Sequence, residues 1–149
     1  MAAVDLIIFG ANGDLSARKL FPALFQLHRA GLLPADLRIA AVSREKEDSS
    51  AFGSKLRNRL NVAMADTAPT DEEWPGFQNC LSHISADFSS VEDFKSLKSW
   101  LDDQRVSLFY LATPPALFSP ICDHLAQTDC LTGDCRIVLE KPIGECLES

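Results

Sequence analysis

Short apolar runs alternate with amphipathic segments along the 149 residues of this chain. The apolar runs predict five strands, at Val4–Phe9, Leu37–Val42, Leu81–Ala86, Val106–Ala112 and Arg136–Glu140. Apolar residues at helical spacing predict helices at Asp14–Gly31, Ser50–Met64, Val91–Asp102 and Pro115–Gln127, whereas polar Ala65–Gly76 predicts a loop or short turn. This alternation predicts an α/β fold with a doubly wound, mostly parallel sheet of five or more strands and helices on both faces.

One proline conflicts with this pattern. Pro22 falls inside the first predicted helix, where a proline removes a backbone hydrogen bond and clashes with the preceding turn. We therefore expect the helix to kink near Phe21 or to restart there.

Charge and composition narrow the classes of function. The chain carries 14 Lys and Arg against 21 Asp and Glu, and this net charge of −7 argues against general binding to nucleic acid or to anionic membranes. Residues 1–46 nevertheless carry a net +2, so the first third would best receive an anionic ligand. The longest apolar runs are too short to span a bilayer, and the N-terminus lacks the basic region of a signal peptide, so we expect a cytoplasmic protein.

Cysteines and histidines do not form a metal-binding pattern. The five cysteines have no Cys-x-x-Cys spacing and the three histidines, His28, His83 and His124, are scattered. We predict no metal site and reduced thiols.

A glycine-containing turn follows the first predicted strand, in the order Gly10-Ala11-Asn12-Gly13-Asp14-Leu15-Ser16. Gly10 permits a sharp reversal, and Gly13 would let a pyrophosphate approach the backbone at a helix N-terminus. The turn differs from the usual G-x-G-x-x-G because Asn12 takes the middle glycine position. A tight turn without a ligand is the alternative, and the position between first strand and first helix favours a dinucleotide in a Rossmann-type fold.

The end of the second predicted strand distinguishes NADP from NAD. An NAD site usually has an acidic residue here, whereas this chain has Ser43-Arg44. A guanidinium can hold the 2′-phosphate of NADP by paired hydrogen bonds, while Glu45 is expected to point away. The alternative is an ordinary surface arginine.

Two further segments follow the fourth and fifth predicted strands. Thr113-Pro114-Pro115 predicts a rigid loop beside the cofactor, with Phe118 one helical turn onward. Lys141, in Glu140-Lys141-Pro142, could bind phosphate, a sugar hydroxyl or the nicotinamide carboxamide. A helix start and a solvated lysine are the respective alternatives.

Taken together, these segments resemble the N-terminal coenzyme domain of the glucose-6-phosphate dehydrogenase family. The resemblance rests on residues 7–27 (IIFGANGDLSARKLFPALFQL), 31–34 (GLLP), 41–44 (AVSR), 108–118 (LFYLATPPALF) and 136–144 (RIVLEKPIG), and it accounts for Pro22. The family oxidises glucose 6-phosphate to 6-phosphogluconolactone with NADP as hydride acceptor, at the entry to the pentose phosphate pathway.

The resemblance implies roles for individual residues of one NADP-binding domain spanning residues 1–149. Gly10, Ala11, Asn12, Gly13, Asp14 and Leu15 would hold the pyrophosphate, and Ser43 and Arg44 the 2′-phosphate. Asp87-Phe88 would form a cofactor-side turn, Thr113, Pro114 and Phe118 would lie along the cofactor, and Lys141 would contact substrate and nicotinamide. Phe118 stands where many members have tyrosine, which removes a hydroxyl contact.

The family's general base is a histidine in an Arg-Ile-Asp-His-Tyr motif, which this chain lacks. Because the chain also ends nine residues after Glu140, we expect a fragment without the substrate and dimer domain, inactive alone, from a homo-oligomeric parent. The alternatives are the Rossmann domain of another NADP-dependent sugar oxidoreductase and a non-catalytic dinucleotide-binding module.

Overall fold

The computed structural model describes residues 3–131 and 133–139. Five strands lie at β1 (Val4–Phe9), β2 (Arg38–Ser43), β3 (Leu81–Ser85), β4 (Val106–Leu111) and β5 (Cys135–Leu139). Five α-helices lie at α1 (Phe21–Arg29), α2 (Ser49–Met64), α3 (Trp74–Gln78), α4 (Phe94–Trp100) and α5 (Phe118–Gln127). No helix in this described part is long and apolar enough to cross a membrane.

All five strands pair in parallel, in the order β3-β2-β1-β4-β5. The first strand is therefore central, and the chain winds outward from it in one direction to β3 and in the other to β5. Ligands of such sheets bind outside the carboxyl ends of the strands, where the winding direction reverses. In this chain that position lies between β1 and β4, beside Gly10, and the predicted fold class is confirmed.

Each face of the sheet has its own hydrophobic core, because side chains alternate along a strand. From β1, Ile8 packs with α1, α2 and α3, around Phe21, Phe52 and Phe77. Ile7 and Phe9 pack on the opposite face with α4 and α5, a core whose largest buried members are Phe9, Phe94 and Phe109. Residues of β1 and β2 belong to both cores, so these two strands, which end at the candidate site, are covered on both faces.

A buried ion cluster connects the amino ends of the three central strands. Asp5 of β1 is fully buried and accepts hydrogen bonds from Arg38 of β2 at 2.8 Å and from Arg105, just before β4, at 2.6 Å. The Arg38 guanidinium also lies 4.0 Å above the Trp100 ring. Its hydrogen bonds to Asp5 raise the pKa of Arg38 above its ordinary value.

The conflict at Pro22 is resolved by a change of helix type. The helical segment begins at Asp14, continues as a π-helical turn over Ser16–Leu20 and restarts as α1 at Phe21. Pro22 then occupies the first turn of α1, where a missing amide hydrogen costs little. The expected restart at Phe21 is confirmed.

The segment predicted as a loop contains more structure than expected. Ala65–Thr67 forms a 3₁₀ turn, and α3 begins at Trp74. The prediction missed α3 because five residues with a proline and a glycine give almost no helical periodicity. Trp74 and Phe77 are buried against α1, so tertiary packing, more than local preference, holds this helix.

Candidate functional site

The glycine turn brings the end of β1 against β2 and β4. Gly10 has φ +85°, and both the Gly10 and the Ala11 amides donate to the Val42 carbonyl, at 3.1 and 3.2 Å. A Cβ on Gly10 would lie 2.8 Å from the Ala112 carbonyl oxygen. Glycine is therefore required at position 10 both by backbone conformation and by the closeness of β4.

The rest of the turn folds back on Gly10 and starts the helix. The Gly13 amide at 2.9 Å and the Ser16 hydroxyl at 3.0 Å both donate to the Gly10 carbonyl. Asp14 is exposed and pairs with Arg18 at 2.7 Å, whereas Leu15 is half-buried. With the Gly10, Ala11 and Gly13 amides engaged, the candidate phosphate donors are the amides of Asn12, Asp14 and Leu15.

A cavity of about 250 Å³ opens beside this turn at the carboxyl end of the sheet. It is lined by Gly10, Asn12, Gly13, Ser43, Arg44, Glu45 and Phe88. The structure thus brings together residues predicted from three separate segments: the glycine turn, the end of β2 and the turn after β3. A larger cavity, about 400 Å³, lies at the opposite end beside Arg38 and Trp100, where parallel sheets do not usually bind ligands.

A row of polar side chains forms the back of the smaller cavity. The Asn12 side-chain amide donates to the Ser43 hydroxyl at 2.8 Å, and the same hydroxyl lies 2.7 Å from Nε2 of His83. Nδ1 of His83 is 2.9 Å from the Glu47 carbonyl oxygen, and its ring stacks on Phe52 with centroids 5.1 Å apart. Asn12, at the usual middle glycine position, therefore connects the turn to the end of β2.

Two charged residues, Arg44 and Glu45, line the cavity, and Asp87 lies near enough to Arg44 to be affected by its charge. Arg44 and Glu45 are both exposed and both line the cavity, so the expectation that Glu45 points away is wrong. Strand alternation does not apply there, because β2 ends at Ser43. Beyond them, hydrogen bonds from the Ser89 amide and hydroxyl lower the pKa of Asp87, with a smaller contribution from the positive charge of Arg44.

The loop after β4 contains a hydroxyl without a partner. Oγ1 of Thr113 is buried and makes no hydrogen bond within residues 3–131 and 133–139. Thr113 adjoins the glycine turn, since its Cγ2 would lie 3.0 Å from a Cβ on Gly10. A buried hydroxyl is normally satisfied, so Thr113 indicates a missing polar partner beside Gly10.

Three of the predicted contact residues have surroundings that restrict their roles. Ala11 is buried in the core shared with α1 and α2, so it supplies close packing and no exposed amide. Pro114 is exposed, and Phe118 packs against the core on the side of α4 and α5 without lining the cavity. Glu140, Lys141 and Pro142 lie outside the described residues, so the role of Lys141 stays a prediction.

Two residues of the site were not singled out from the sequence. His83 on β3 is one of three scattered histidines, and Arg59 is one of three basic residues on α2. Arg59 is half-buried and donates to the Asn12 carbonyl at 2.7 Å. Neither has a sequence signal, because His83 lies 40 residues from Ser43 and Arg59 lies 47 residues from Asn12 along the chain. Within the described residues, no group of three or more His, Cys, Asp or Glu side chains could hold a metal ion.

Comparisons with known proteins agree with this geometry. Residues 7–149 match the family described as "Glucose-6-phosphate dehydrogenase, NAD binding domain". The chain is 39% identical over 149 residues to a glucose-6-phosphate 1-dehydrogenase of Dickeya dadantii, and 36% identical over 148 residues to one of Gluconobacter oxydans. These alignments cover 99% and 94% of this chain but only 30% and 29% of the relatives.

Solved structures show the same likeness in three dimensions. The crystal structure of glucose-6-phosphate 1-dehydrogenase from Mycobacterium avium superposes with a TM-score of 0.86 at 28% identity, covering 97% of this chain and 31% of that one. A glucose-6-phosphate dehydrogenase in complex with glucose 6-phosphate superposes with a TM-score of 0.79 at 31% identity, over 95% and 31% of the two chains. This family uses NADP as coenzyme, in agreement with the predicted cofactor. The chain, which spans about a third of the length of these relatives, belongs to the glucose-6-phosphate dehydrogenase family and matches its nucleotide-binding domain.

Proposed function

We propose that residues 1–149 form the NADP-binding domain of an enzyme that oxidises glucose 6-phosphate to 6-phosphogluconolactone. The observation that carries this proposal is the meeting of the glycine turn with Ser43 and Arg44 in one cavity at the carboxyl end of the sheet. The turn suits a pyrophosphate, and the arginine suits an additional phosphate on the adenine ribose.

The residues of the site fit a bound dinucleotide. Asn12, Gly13, Asp14 and Leu15 would receive the pyrophosphate at the helix N-terminus, and Phe88 would form the wall beside the adenine end. Thr113 would donate its unpartnered hydroxyl hydrogen to the dinucleotide as it passes Gly10. The bound coenzyme supplies hydride acceptance, and the residues of this chain bind and orient it.

The charges at the cavity mouth favour NADP over NAD. Arg44 is exposed and free to turn toward a 2′-phosphate, and Arg59 adds a second positive charge behind the turn. Asp87 is already held by Ser89, so its carboxylate is poorly placed to accept from a ribose hydroxyl in the manner of an NAD site.

The remaining parts of the proposal follow from the family. Lys141 would contact glucose 6-phosphate and the nicotinamide side. The substrate and dimer domain would supply the general base and a homo-oligomeric assembly. One relative from Arabidopsis thaliana is named cytoplasmic, which supports a cytoplasmic location. Another NADP-dependent sugar oxidoreductase and a binding module without catalysis remain alternatives for the whole protein.

Calorimetric titration of the 149-residue chain with NADP and with NAD tests the cofactor assignment. We expect tighter binding of NADP, and the substitution Arg44→Ala to weaken NADP about tenfold or more with little effect on NAD, because a hydrogen bond to a charged group contributes about 1.5–3 kcal/mol. Lys46→Ala is the matched control, since Lys46 is an exposed cation two residues away that does not line the cavity. Equal losses for the two cofactors, or equal effects of Arg44→Ala and Lys46→Ala, would contradict the role of Arg44.

A further inference from the structure

A row of hydrogen bonds runs from Asn12 through Ser43 and His83 to the Glu47 carbonyl. At the Glu47 end, the direction of the hydrogen bond is fixed. A carbonyl oxygen only accepts, so Nδ1 of His83 carries a hydrogen whether the ring is neutral or cationic. Nε2 therefore carries a hydrogen only in the cationic ring. The ring is held by its stack on Phe52, and the His83 backbone amide donates to the Ser49 hydroxyl at 2.8 Å, which fixes the strand beneath it.

Whether Nε2 carries a hydrogen decides whether the Ser43 hydroxyl donates or accepts a hydrogen bond in the cavity. When the ring is neutral, Nε2 accepts the hydroxyl hydrogen of Ser43, and the Asn12 amide fills one of the two lone pairs. The hydroxyl then offers the cavity only its remaining lone pair, which suits a donor. When the ring is cationic, Nε2 donates to Ser43, and the hydroxyl hydrogen is released toward the cavity, where it suits an acceptor.

NAD and NADP differ in the group at the 2′ position of the adenine ribose, and these two groups differ in whether they can donate a hydrogen bond. The 2′-hydroxyl of NAD can donate, whereas the 2′-phosphate of NADP is an anion that only accepts strongly. We propose that His83 is a positioning residue: through Ser43, its protonation switches this site between recognition of the 2′-hydroxyl and recognition of the 2′-phosphate. This inference rests on the proposed NADP site and adds that its selectivity depends on a proton held on β3.

Other charges near the row are already engaged or face the cavity. The carboxylate of Glu47 pairs with Lys55 of α2 at 3.1 Å, and Asp48 accepts from the Ala51 amide at the start of α2. The charges that face the row from the remaining elements are Arg59 of α2, Arg44 and Glu45 after β2, and Asp87 after β3. Within the described residues, none of these four charged side chains hydrogen-bonds to the Ser43 hydroxyl, whereas the titratable ring of His83 does.

The substitution His83→Phe separates the two states. Phenylalanine keeps a ring against Phe52 but has no nitrogen, so Ser43 can donate to the cavity at every pH. The affinity ratio of NADP to NAD is measured by calorimetry at pH 6 and at pH 8.5. We expect the wild-type ratio to approach that of the variant at pH 6, where Ser43 can donate to the cavity in both proteins, and to fall about tenfold below it at pH 8.5. Ionisation of the 2′-phosphate is common to both proteins and cancels in the comparison.

A second readout follows the proton directly. Calorimetry in two buffers of different ionisation enthalpy gives the protons taken up on binding. By linkage, wild-type protein takes up an extra fraction of a proton with NADP, which both His83→Phe and Ser43→Ala lack. Ser43→Ala leaves His83 in place, so it decides the question even if His83→Phe does not fold. His28→Phe is the control, because the His28 ring also packs on aromatic rings, those of Phe25 and Phe77, and makes no hydrogen bond to Ser43 within the described residues, so this variant should behave as wild type.

The outcomes are separable. Equal pH dependence and equal proton uptake in the wild type, His83→Phe and Ser43→Ala, with NADP still preferred, would overturn the role of His83 and leave the NADP site intact. No preference for NADP at any pH would overturn the proposed function, and the role of His83 with it.

Discussion

At the scale of residues, the contacts of each side chain at the candidate site explain why that residue type stands there. Gly10 must be glycine because of its φ and the nearby Ala112 carbonyl, and Asn12 reaches Ser43 in a way that a glycine at that position could not. Thr113 is the opposite case, because its buried hydroxyl touches no polar partner in the described part of the chain. An unsatisfied buried hydroxyl costs stability, and a ligand that satisfies it recovers that cost on binding.

Thr113→Val tests this interpretation, since valine matches threonine in shape and lacks the hydroxyl. We expect the affinities for NADP and NAD to fall alike, by about two- to tenfold, while the free energy of unfolding of the unliganded chain stays equal or rises by up to about 1 kcal/mol. Calorimetric titration and urea unfolding give the two quantities.

Thr128→Val is the matched control for this prediction. The Thr128 hydroxyl donates to the His124 carbonyl at 2.8 Å, so its loss should lower the free energy of unfolding and leave dinucleotide affinity unchanged. If Thr113→Val destabilised the unliganded chain as much as Thr128→Val, the Thr113 hydroxyl would already have a partner in the folded protein.

At the scale of elements, one arginine at the end of α1 adds polar contacts to the segment that leads into α3. Arg29 donates to both carboxylate oxygens of Glu73 at 2.9 Å and to the Ala68 carbonyl at 3.2 Å. The Arg29 guanidinium, helped by the Thr70 amide, lowers the pKa of Glu73 from 4.5 to about 2. The charged carboxylate is therefore favoured by the folded state.

This contact predicts a pH-dependent contribution to stability. The folded pKa lies below the unfolded one, so the contribution is present above about pH 4.5 and is lost as pH falls toward 2. In urea unfolding, Glu73→Gln should lower the midpoint at pH 7, and its difference from wild type should shrink progressively below pH 4.5. Glu72→Gln, at an exposed neighbouring position, should change little at either pH. A difference for Glu73→Gln that does not vary with pH would argue against the ion pair as its origin.

The elements also show what a sequence can predict here. Strand positions agree with the structure to within one residue at each end, because buried parallel strands are short apolar runs that can be recognised without knowledge of their neighbours. The helix α3 was missed because its stability comes from Trp74 and Phe77 packing on α1. Likewise, Ser43 and Arg44 were predicted from their place after a strand, whereas His83 depends on a contact forty residues away in sequence.

For the molecule as a whole, the residues that would bind the nucleotide are present in this chain, whereas the family's general base for catalysis is not. The chain contains a nucleotide site but no Arg-Ile-Asp-His-Tyr segment, and His83 and His124 are both engaged with backbone carbonyls. A positioned general base, which removes the hydroxyl proton as the sugar is oxidised, typically raises the reaction rate by about 10²–10⁴-fold. A lysine ammonium has no lone pair, so Lys141 in its ordinary charged form would not accept the proton of the sugar hydroxyl.

We therefore expect the 149-residue chain to bind NADP without reducing it. The measurement is NADPH formation, followed by absorbance, with purified chain, glucose 6-phosphate and NADP. Protein carrying Gly10→Val, purified in the same way, controls for contaminating host enzyme because it cannot form the nucleotide turn. Turnover that exceeds this control and is lost in His28, His83 or His124 substitutions would show that the chain supplies its own base.

The buried cluster around Asp5 has a consequence for how the chain folds during synthesis. Asp5 is made before its partner Arg105, which follows 100 residues later in the chain. Until β4 emerges from the ribosome, β1 has one open edge and a carboxylate with half its partners, so burying it early is unfavourable. We therefore expect β1 to be buried stably only after β4 has been made.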